Sequence, residues 1–199
     1  MNLVVLDIGV GNTASMVWAL ERLGARPALS SDPRRIAGAA RLVFPGVGAA
    51  GFAAARLRAL GLVEALTAFE RPMLGVCLGM QMLFDRSEEG DAPGLGRLDG
   101  AVRRIAPVPG RPSPHMGWNR LWLRSPDEAL LDGVEDGAFA YFVHGYAAPV
   151  GEATVASADY GGAFSALVRK ANICGCQFHP ERSGPVGARI LRNFLDLPC

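Results

Sequence analysis

A cysteine between glycines is the residue in this sequence best suited to covalent chemistry. Cys77 lies at the centre of Gly75–Gly79, between an apolar run and a segment with helical spacing. A strand-to-helix turn of this G-x-C-x-G form exposes its central side chain, and the flanking glycines avoid collisions across the turn. The pattern predicts a nucleophile elbow with Cys77 as the nucleophile. A structural cysteine in a Gly-rich turn is the alternative.

An imidazole and a carboxylate near the end of the chain could serve this nucleophile. His179 follows a predicted strand, and Glu181 comes two residues later, with Pro180 between them. In an extended segment such residues point the same way, so Glu181 could hold one imidazole nitrogen while the other exchanges a proton with Cys77. We therefore predict a Cys77–His179–Glu181 triad, with a surface histidine beside a surface glutamate as the alternative.

Covalent attack on an amide also requires hydrogen-bond donors for the oxyanion. The backbone N–H of Leu78, the residue after the nucleophile, is one candidate. The other could come from Pro45–Gly48, whose glycines let the backbone approach a ligand closely. Gly46, Val47 and Leu78 are therefore predicted substrate-binding positions, although Pro45–Gly48 could also be a simple strand-ending turn.

The first half of the chain alternates strand-like and helix-like segments that could position these residues. We predict strands at Leu3–Ile8, Arg26–Ser30, Leu42–Phe44 and Met73–Val76, and helices ending at Gly24 and spanning Ala49–Phe69 and Leu78–Phe84. Such alternation predicts a parallel sheet covered by helices on both faces. Since ligands collect outside the carboxyl ends of such strands, Gly9–Asn12, Pro45–Gly48 and Cys77 are expected to share one edge.

The second half has a different pattern. Its segments from about Gly100 to Gln177 are short, β-rich and interrupted by Gly and Pro, and an amphipathic helix follows at Val186–Leu195. No repeat or long linker divides the chain. We predict one α/β domain over residues 1–199, with an open, mostly parallel central sheet, helices on both faces and an antiparallel β extension from the second half.

Composition narrows the classes of function. The chain has 199 residues, a net charge of +1 and 50% hydrophobic residues, the balance of an ordinary soluble globular protein. That charge provides no global field for nucleic acid or an anionic membrane, so neither is an expected partner. The N-terminus has no basic region followed by a cleavage site, and no apolar run approaches the roughly 18 residues of a membrane span. A cytoplasmic location is expected.

The remaining cysteines and histidines do not suggest a metal or a cofactor. Cys174 and Cys176 alternate in a predicted strand, so we expect both thiols to be buried on one face, and we expect Cys199 to be inert. The three histidines are far apart in the sequence and form no HExxH motif. Four unevenly placed cysteines also do not form a disulfide scaffold.

Taken together, these motifs resemble the class I glutamine amidotransferases. The resemblance rests on Gly75–Gly79 followed by Met80-Gln81, with a distant Phe178–Glu181, and it extends over nearly the whole chain. Finer features resemble one branch, the glutaminase subunits of imidazole glycerol phosphate synthase; they are Asp7–Asn12, Pro45–Gly48, Pro114–Asn119 and Tyr141–Tyr146.

This resemblance implies an activity and a partner. The chain would hydrolyse L-glutamine to glutamate without a cofactor and pass ammonia to a (β/α)8-barrel cyclase subunit, as a heterodimer in histidine biosynthesis. The isolated subunit would hold Pro45–Gly48 misaligned until the partner binds its ligand.

The resemblance also assigns residues. Cys77, His179 and Glu181 match the triad. The implied glutamine contacts are Gln81, Glu89 at the α-ammonium, and Gly145 and Tyr146 at the α-carboxylate. The implied cyclase contacts are Asn12, Trp118, Tyr141 and Arg182, with core packing as the alternative for Trp118 and Tyr141.

Three positions depart from the branch pattern, and three other interpretations remain open. Tyr is usual where Ile8 stands, Lys is usual at Arg182, and Ser or Thr is usual at Gly145. A different glutaminase of the same class, or a free-standing γ-glutamyl hydrolase or cysteine peptidase, could use the same triad. A nucleotide-binding module built on Gly9–Asn12 is weaker, because that segment lacks the third glycine of the dinucleotide fingerprint.

Overall fold

Alternating strands and helices form the frame of the molecule. The structure is a computed structural model, and it describes residues 2–9 and 11–198. The helices are α1 (Thr13–Arg22), α2 (Pro33–Ala37), α3 (Ala50–Ala59), α4 (Val63–Thr67), α5 (Leu78–Gln81) and α6 (Gly184–Asp196), with 3-10 turns at Glu89–Asp91, Ala129–Leu131 and Pro180–Arg182. Among the described residues, none of the helices is long and apolar enough to cross a membrane.

The strands divide between a main sheet and two smaller ones. In chain order they are β1 (Leu3–Leu6), β2 (Ala28–Ser30), β3 (Arg41–Gly46), β4 (Met73–Cys77), β5 (Phe84–Ser87), β6 (Ala92–Pro93), β7 (Leu98–Arg104), β8 (His115–Arg120), β9 (Trp122–Leu123), β10 (Phe139–His144), β11 (Tyr146–Ala147), β12 (Thr154–Asp159), β13 (Ala163–Lys170) and β14 (Ile173–Cys176).

The main sheet has the order β2-β1-β3-β4-β14-β13-β12-β9. Pairing is parallel from β2 to β14 and antiparallel from β14 to β9. The smaller sheets, β10-β8 and β11-β7-β5-β6, come mainly from the second half of the chain. The predicted fold class, a mostly parallel central sheet with an antiparallel extension, is confirmed.

Helices cover both faces of the main sheet, as predicted. Alternation along β1 sends Leu3 and Val5 into one buried cluster, which contains residues of α1 and α6. It sends Val4 and Leu6 into a second cluster, which contains residues of α2, α3 and α4. Because both faces are buried, β1 is apolar throughout instead of alternating with polar residues.

Two predicted helices have different boundaries in the structure. The helix expected over Ala49–Phe69 is two helices, α3 and α4, separated at Gly61, whose φ of +65° lies in the left-handed region. The helix expected over Leu78–Phe84 ends at Gln81, because Phe84 instead pairs with Leu98 in a small sheet. Periodicity in a short apolar run does not reveal this competition from a distant strand.

The predicted elbow lies between β3 and β14. Gly46 is opposite Cys77 in the parallel pairing of β3 with β4, and Cys176 is opposite Val76 in the pairing of β4 with β14. The carboxyl ends of these three strands therefore meet at one edge. The chain after β14, which leads to His179, starts beside the cysteine.

Glycines allow the elbow to pack closely. A Cβ on Gly75 would lie 2.7 Å from the backbone of Met80, across the turn. A Cβ on Gly79 would lie 1.7 Å from the carbonyl oxygen of Phe44, which belongs to the neighbouring strand. A side chain is excluded at the two positions for different reasons. At Gly75 it would collide within the turn, as predicted, whereas at Gly79 it would collide with β3.

We expect Gly79→Ala to destabilise the protein by at least about 3 kcal/mol, because the added methyl group meets a backbone atom that cannot move away. Gly51→Ala is the matched control, since a Cβ on Gly51 in α3 would have no atom within 4 Å. That change should be neutral or stabilising by up to about 1 kcal/mol. Urea unfolding of both variants measures the difference, and equal stabilities would contradict the packing argument.

Candidate active site

The backbone of Cys77 has the strained conformation of a nucleophile elbow. Its φ is +53° and ψ is −110°, which is rare for a residue with a side chain. Pairing of β4 on both sides and the start of α5 hold the residue there. The sulfur lies 3.8 Å from the carbonyl oxygen of Val143 and 3.7 Å from Nε2 of Gln177, and 6% of the residue is exposed.

His179 and Glu181 form a buried pair. Nδ1 of the imidazole is 2.8 Å from Oε1 of the carboxylate, and the side chains are only 8% and 6% exposed. The expected extended geometry is wrong in detail: only His179 is extended, and Glu181 lies in the 3-10 turn Pro180–Arg182. The turn brings the carboxylate back to Nδ1 of the ring, and Ser183 donates a hydrogen bond to the His179 carbonyl at 2.8 Å.

Electrostatics favour the protonated form of His179. Burial alone would lower its pKa, but interactions with Cys77 and with Glu181 outweigh burial and raise the pKa to about 10. Within the described residues, Nε2 of His179 and Oε2 of Glu181 have no hydrogen-bond partner. Nδ1 is held by Glu181, so Nε2 is the nitrogen left to exchange a proton with the nearby sulfur.

A cavity of about 210 Å³ opens beside the sulfur. This volume is below the roughly 300–1,000 Å³ of pockets for drug-sized ligands, and it suits one amino acid. The lining residues are Val47, Gly48, Cys77, Leu78, Gln81, Glu89, Val143, His144, Gly145 and Tyr146. Of the predicted substrate positions, Gly46 alone is not in the lining; it is buried behind Leu78, to which a Cβ on Gly46 would come within 3.1 Å.

Gln81 and Glu89 are each held by backbone groups. Nε2 of Gln81 donates to the carbonyl oxygen of Tyr146 at 2.8 Å, which leaves its own carbonyl oxygen available. Oε2 of Glu89 accepts the N–H of Ala50 at 2.8 Å. Since Ala50 begins α3 two residues after Gly48, the Glu89 carboxylate connects the cavity to the chain that leaves the predicted oxyanion segment.

Val47 and Gly48 of the predicted oxyanion segment border the cavity, and the segment is closely packed on its other side. Gly48 has a φ of +104°, a conformation that glycine adopts without penalty. A Cβ on Gly11 would lie 3.5 Å from Gly46 and from Val47, so the loop after β1 packs behind the segment. Val10 of the same loop lies outside the described residues, as does Cys199.

Gln177 and His144 are site residues that our sequence reasoning missed. Gln177 is fully buried, and it contacts both Cys77 and Gln81, whose Nε2 donates to Oε1 of Gln177 at 3.0 Å. The sequence did offer a signal for Gln177, because it is a polar residue at the end of an apolar strand, two positions before His179. For His144 the available signal was its position directly before Gly145 and Tyr146, in the Tyr141–Tyr146 segment that the sequence analysis singled out.

Two of the residues predicted to face a partner, Trp118 and Arg182, each contact a third, Tyr141. The ring centroids of Trp118 and Tyr141 are 5.9 Å apart, and the Arg182 guanidinium lies 5.6 Å from the Tyr141 ring. Trp118 is 56% exposed, so core packing does not explain it. Asn12 is also exposed, and its side chain caps α1 by accepting the N–H of Ser15.

Two of the other cysteines, Cys174 and Cys176, are buried, as expected. Cys174 and Cys176 lie in the cluster beneath α1 and α6, and burial raises the pKa of Cys174 to about 12. Within residues 2–9 and 11–198, there is no group of three or more His, Cys, Asp or Glu side chains that could hold a metal ion.

Comparison with known proteins identifies the family of this chain. Residues 4–197 match the family model described as glutamine amidotransferase class-I. The imidazole glycerol phosphate synthase subunits HisH of Xylella fastidiosa (strain Temecula1) and Xanthomonas campestris pv. campestris (strain 8004) are each 53% identical, over 97% and 98% of this chain and 96% and 98% of theirs. A solved glutamine amidotransferase has a TM-score of 0.76 at 21% identity and covers 98% of each chain. The chain therefore belongs to the class I glutamine amidotransferases, as its motifs predicted.

Proposed function

We propose that this chain is the glutaminase subunit of an imidazole glycerol phosphate synthase, releasing ammonia from L-glutamine through a thioester on Cys77. The observation that carries the proposal is a strained cysteine opening into a cavity of amino-acid size, close to a histidine held 2.8 Å from a buried glutamate. The identity to HisH subunits, over nearly the full length of both chains, supports this particular branch of the family.

Polar groups around the cavity suggest how glutamine binds. The second oxygen of Glu89 is suited to the α-ammonium, and the backbone of Gly145 and Tyr146 to the α-carboxylate. The free carbonyl oxygen of Gln81 can accept a hydrogen bond from substrate. In this orientation the side-chain amide of glutamine reaches Cys77.

The first half of the reaction forms the thioester. The Cys77 thiolate attacks the amide carbon, and the oxyanion of the tetrahedral intermediate accepts hydrogen bonds from Leu78 N–H and from the Val47–Gly48 backbone. Protonated His179 gives its Nε2 proton to the leaving nitrogen, and the C–N bond breaks to release ammonia. Glu181 holds Nδ1 and stabilises the imidazolium.

The second half regenerates the enzyme. Neutral His179 takes a proton from water, and the hydroxide attacks the thioester carbonyl carbon at the same oxyanion site. The C–S bond then breaks, glutamate leaves, and the thiolate–imidazolium pair is restored. Gly46 allows Leu78 and the oxyanion segment to approach closely, because any side chain there would push them apart.

The proposal includes a partner and a location. Ammonia is a nucleophile only while it is unprotonated, so a sealed path to an acceptor is chemically useful. We assign that acceptor to a (β/α)8-barrel cyclase subunit that forms a heterodimer with this chain. The proposed docking surface comprises exposed Asn12, Trp118 and Arg182 together with half-buried Tyr141. We further propose that the chain is one domain and acts in the cytoplasm, where glutamine is available.

We expect Cys77→Ser to abolish glutamine-dependent synthesis by the assembled synthase while leaving ammonia-dependent synthesis within about twofold, because only the nucleophile changes. Mass spectrometry after treatment with a glutamine-like electrophile should find the label on Cys77 in the wild type. Buried Cys174 and Cys176 serve as internal controls. Labelling of Cys174 or Cys176 would contradict the assignment. So would a Cys77→Ser variant that loses glutamine-dependent and ammonia-dependent synthesis to the same extent.

Glu181→Gln should lower the His179 pKa from about 10 toward its ordinary 6.5, since the amide carries no negative charge. We expect kcat for glutaminase to fall by about 10²–10⁴ for the same reason. NMR titration of His179 and steady-state kinetics measure the two effects.

Stability gives an independent readout of the same pair. A histidine whose folded-state pKa is raised stabilises the fold fully below its unfolded pKa of 6.5 and loses that contribution as pH rises toward 10. The unfolding free energy of the wild type relative to Glu181→Gln should therefore decrease between pH 6.5 and 10. A pH-independent difference would mean that His179 is not stabilised as a cation.

Glutaminase activity should increase by at least about tenfold when both the cyclase subunit and its nucleotide ligand are present, because Gly48 lets the oxyanion segment change conformation. The assay compares the chain alone, the complex, and the complex with ligand. Equal rates in all three would rule out gating and would favour a free-standing glutamine hydrolase.

A further inference from the structure

Two buried histidines outside the proposed triad face each other behind the glutamine cavity. His115 in β8 and His144 in β10 are 2% and 5% exposed, and they lie opposite each other in the antiparallel pairing of these strands. Nδ1 of His115 is 3.0 Å from Nε2 of His144. Buried polar groups without a role in catalysis require their own explanation.

Hydrogen-bond geometry determines which nitrogens carry protons. Nδ1 of His144 lies 2.9 Å from the carbonyl oxygen of Tyr146, which can only accept, so Nδ1 carries a hydrogen. In a neutral ring Nε2 of His144 is then an acceptor, and Nδ1 of His115 must donate to it. Nε2 of His115 is left as an acceptor.

Asn119 supplies the donor for that last acceptor. Its Nδ2 is 3.3 Å from Nε2 of His115 and donates its other hydrogen to the Asp159 carbonyl oxygen at 2.9 Å. The orientation of the amide is set independently, because Oδ1 accepts the N–H of Arg120 at 2.8 Å. All protons therefore point the same way, from Asn119 through His115 and His144.

The surroundings keep both rings neutral. Burial lowers the pKa of His115 to about 4, with a smaller contribution from Arg111. Burial also lowers the pKa of His144 to about 3, although the carbonyl of Tyr146 partly opposes it. A neutral ring has one donor and one acceptor, so the hydrogen bonds from Asn119 through His115 and His144 to the Tyr146 carbonyl all run in one direction. We call this chain of hydrogen bonds the relay.

This relay ends inside the glutamine cavity. The Tyr146 carbonyl that accepts from His144 also accepts from Nε2 of Gln81, and His144 and Tyr146 are both lining residues. Gln81 continues the network to Gln177, which contacts the Cys77 sulfur. The other end is on β8, the strand that carries exposed Trp118.

We propose that His115 and His144 are positioning residues whose locked tautomers fix the Tyr146 carbonyl, and through it Gln81, for glutamine binding. The part that concerns glutamine rests on the proposed function. The relay acts through the cavity wall and not on the reacting atoms, so it affects KM for glutamine more than kcat.

Two substitutions of His115 separate hydrogen bonding from packing. The ring of His115 stacks on Tyr160 and on Phe142, with centroids 4.1 and 5.0 Å away. His115→Phe keeps an aromatic ring but removes the donor to His144, whereas His115→Asn loses the ring but can place an amide N–H near the position of Nδ1. Tyr160→Phe, which keeps the stack and removes only a hydroxyl bonded to Pro112, is the control.

In the assembled synthase we expect His115→Phe to raise KM for glutamine about tenfold with kcat within about twofold, because it loses the hydrogen bond to His144 together with the one from Asn119. His115→Asn should recover most of the affinity, and Tyr160→Phe should match the wild type. A larger defect in His115→Asn than in His115→Phe would show that the ring only fills space and would overturn the proposal.

Long-range ¹H–¹⁵N NMR of the wild-type chain tests the relay even if a variant fails to fold. Both His115 and His144 should be neutral near pH 7 with the proton on Nδ1. A proton on Nε2 of either ring would overturn the relay. Absence of glutaminase activity in the wild-type complex would instead overturn the proposed function, while the tautomers would still decide the relay.

Discussion

The parallel pairing of β4 with β14 is the constraint on which the rest of the site depends. Residues about a hundred positions apart in the sequence lie opposite each other there, with Gly75 facing Gly175 and Val76 facing Cys176. Because parallel strands end at a common edge, this backbone pairing alone places Cys77 and the segment leading to His179 beside each other. A shift by one residue would turn the following side chains to the other face of the sheet.

The elbow combines local strain with close packing around it. Cys77 has a positive φ, and the surrounding backbone approaches so closely that methyl groups on Gly75 or Gly79 would collide with it. Strain of this kind persists only where neighbouring structure determines the conformation, here two paired strands and a short helix. The same close packing brings Gly46 against Leu78, so Cys77 and the predicted oxyanion donors depend on one packing arrangement.

The two halves of the chain make different contributions to the cavity. The parallel half provides Cys77, the backbone of Val47 and Gly48, and Gln81. The antiparallel half provides the opposite wall, in which His144 and Tyr146 are tied to β8 through His115. A chain of neutral rings keeps this wall polar without burying a charge, which is the less costly way to place hydrogen-bond donors in a buried site.

The sequence alone determined the fold class, the family and the choice of Cys77, His179 and Glu181 as candidates, because these follow from local patterns: strand–helix alternation, glycines around a cysteine, and a His-Pro-Glu segment. Tertiary structure decided the rest. Phe84 leaves the predicted helix because a distant strand pairs with it, and Glu181 reaches His179 through a turn and not through strand alternation. The contacts of Gln177 with Cys77 and Gln81, and the His115–His144 relay, form only where separate strands meet. Hydrogen bonds between such strands leave no periodic signal along the chain.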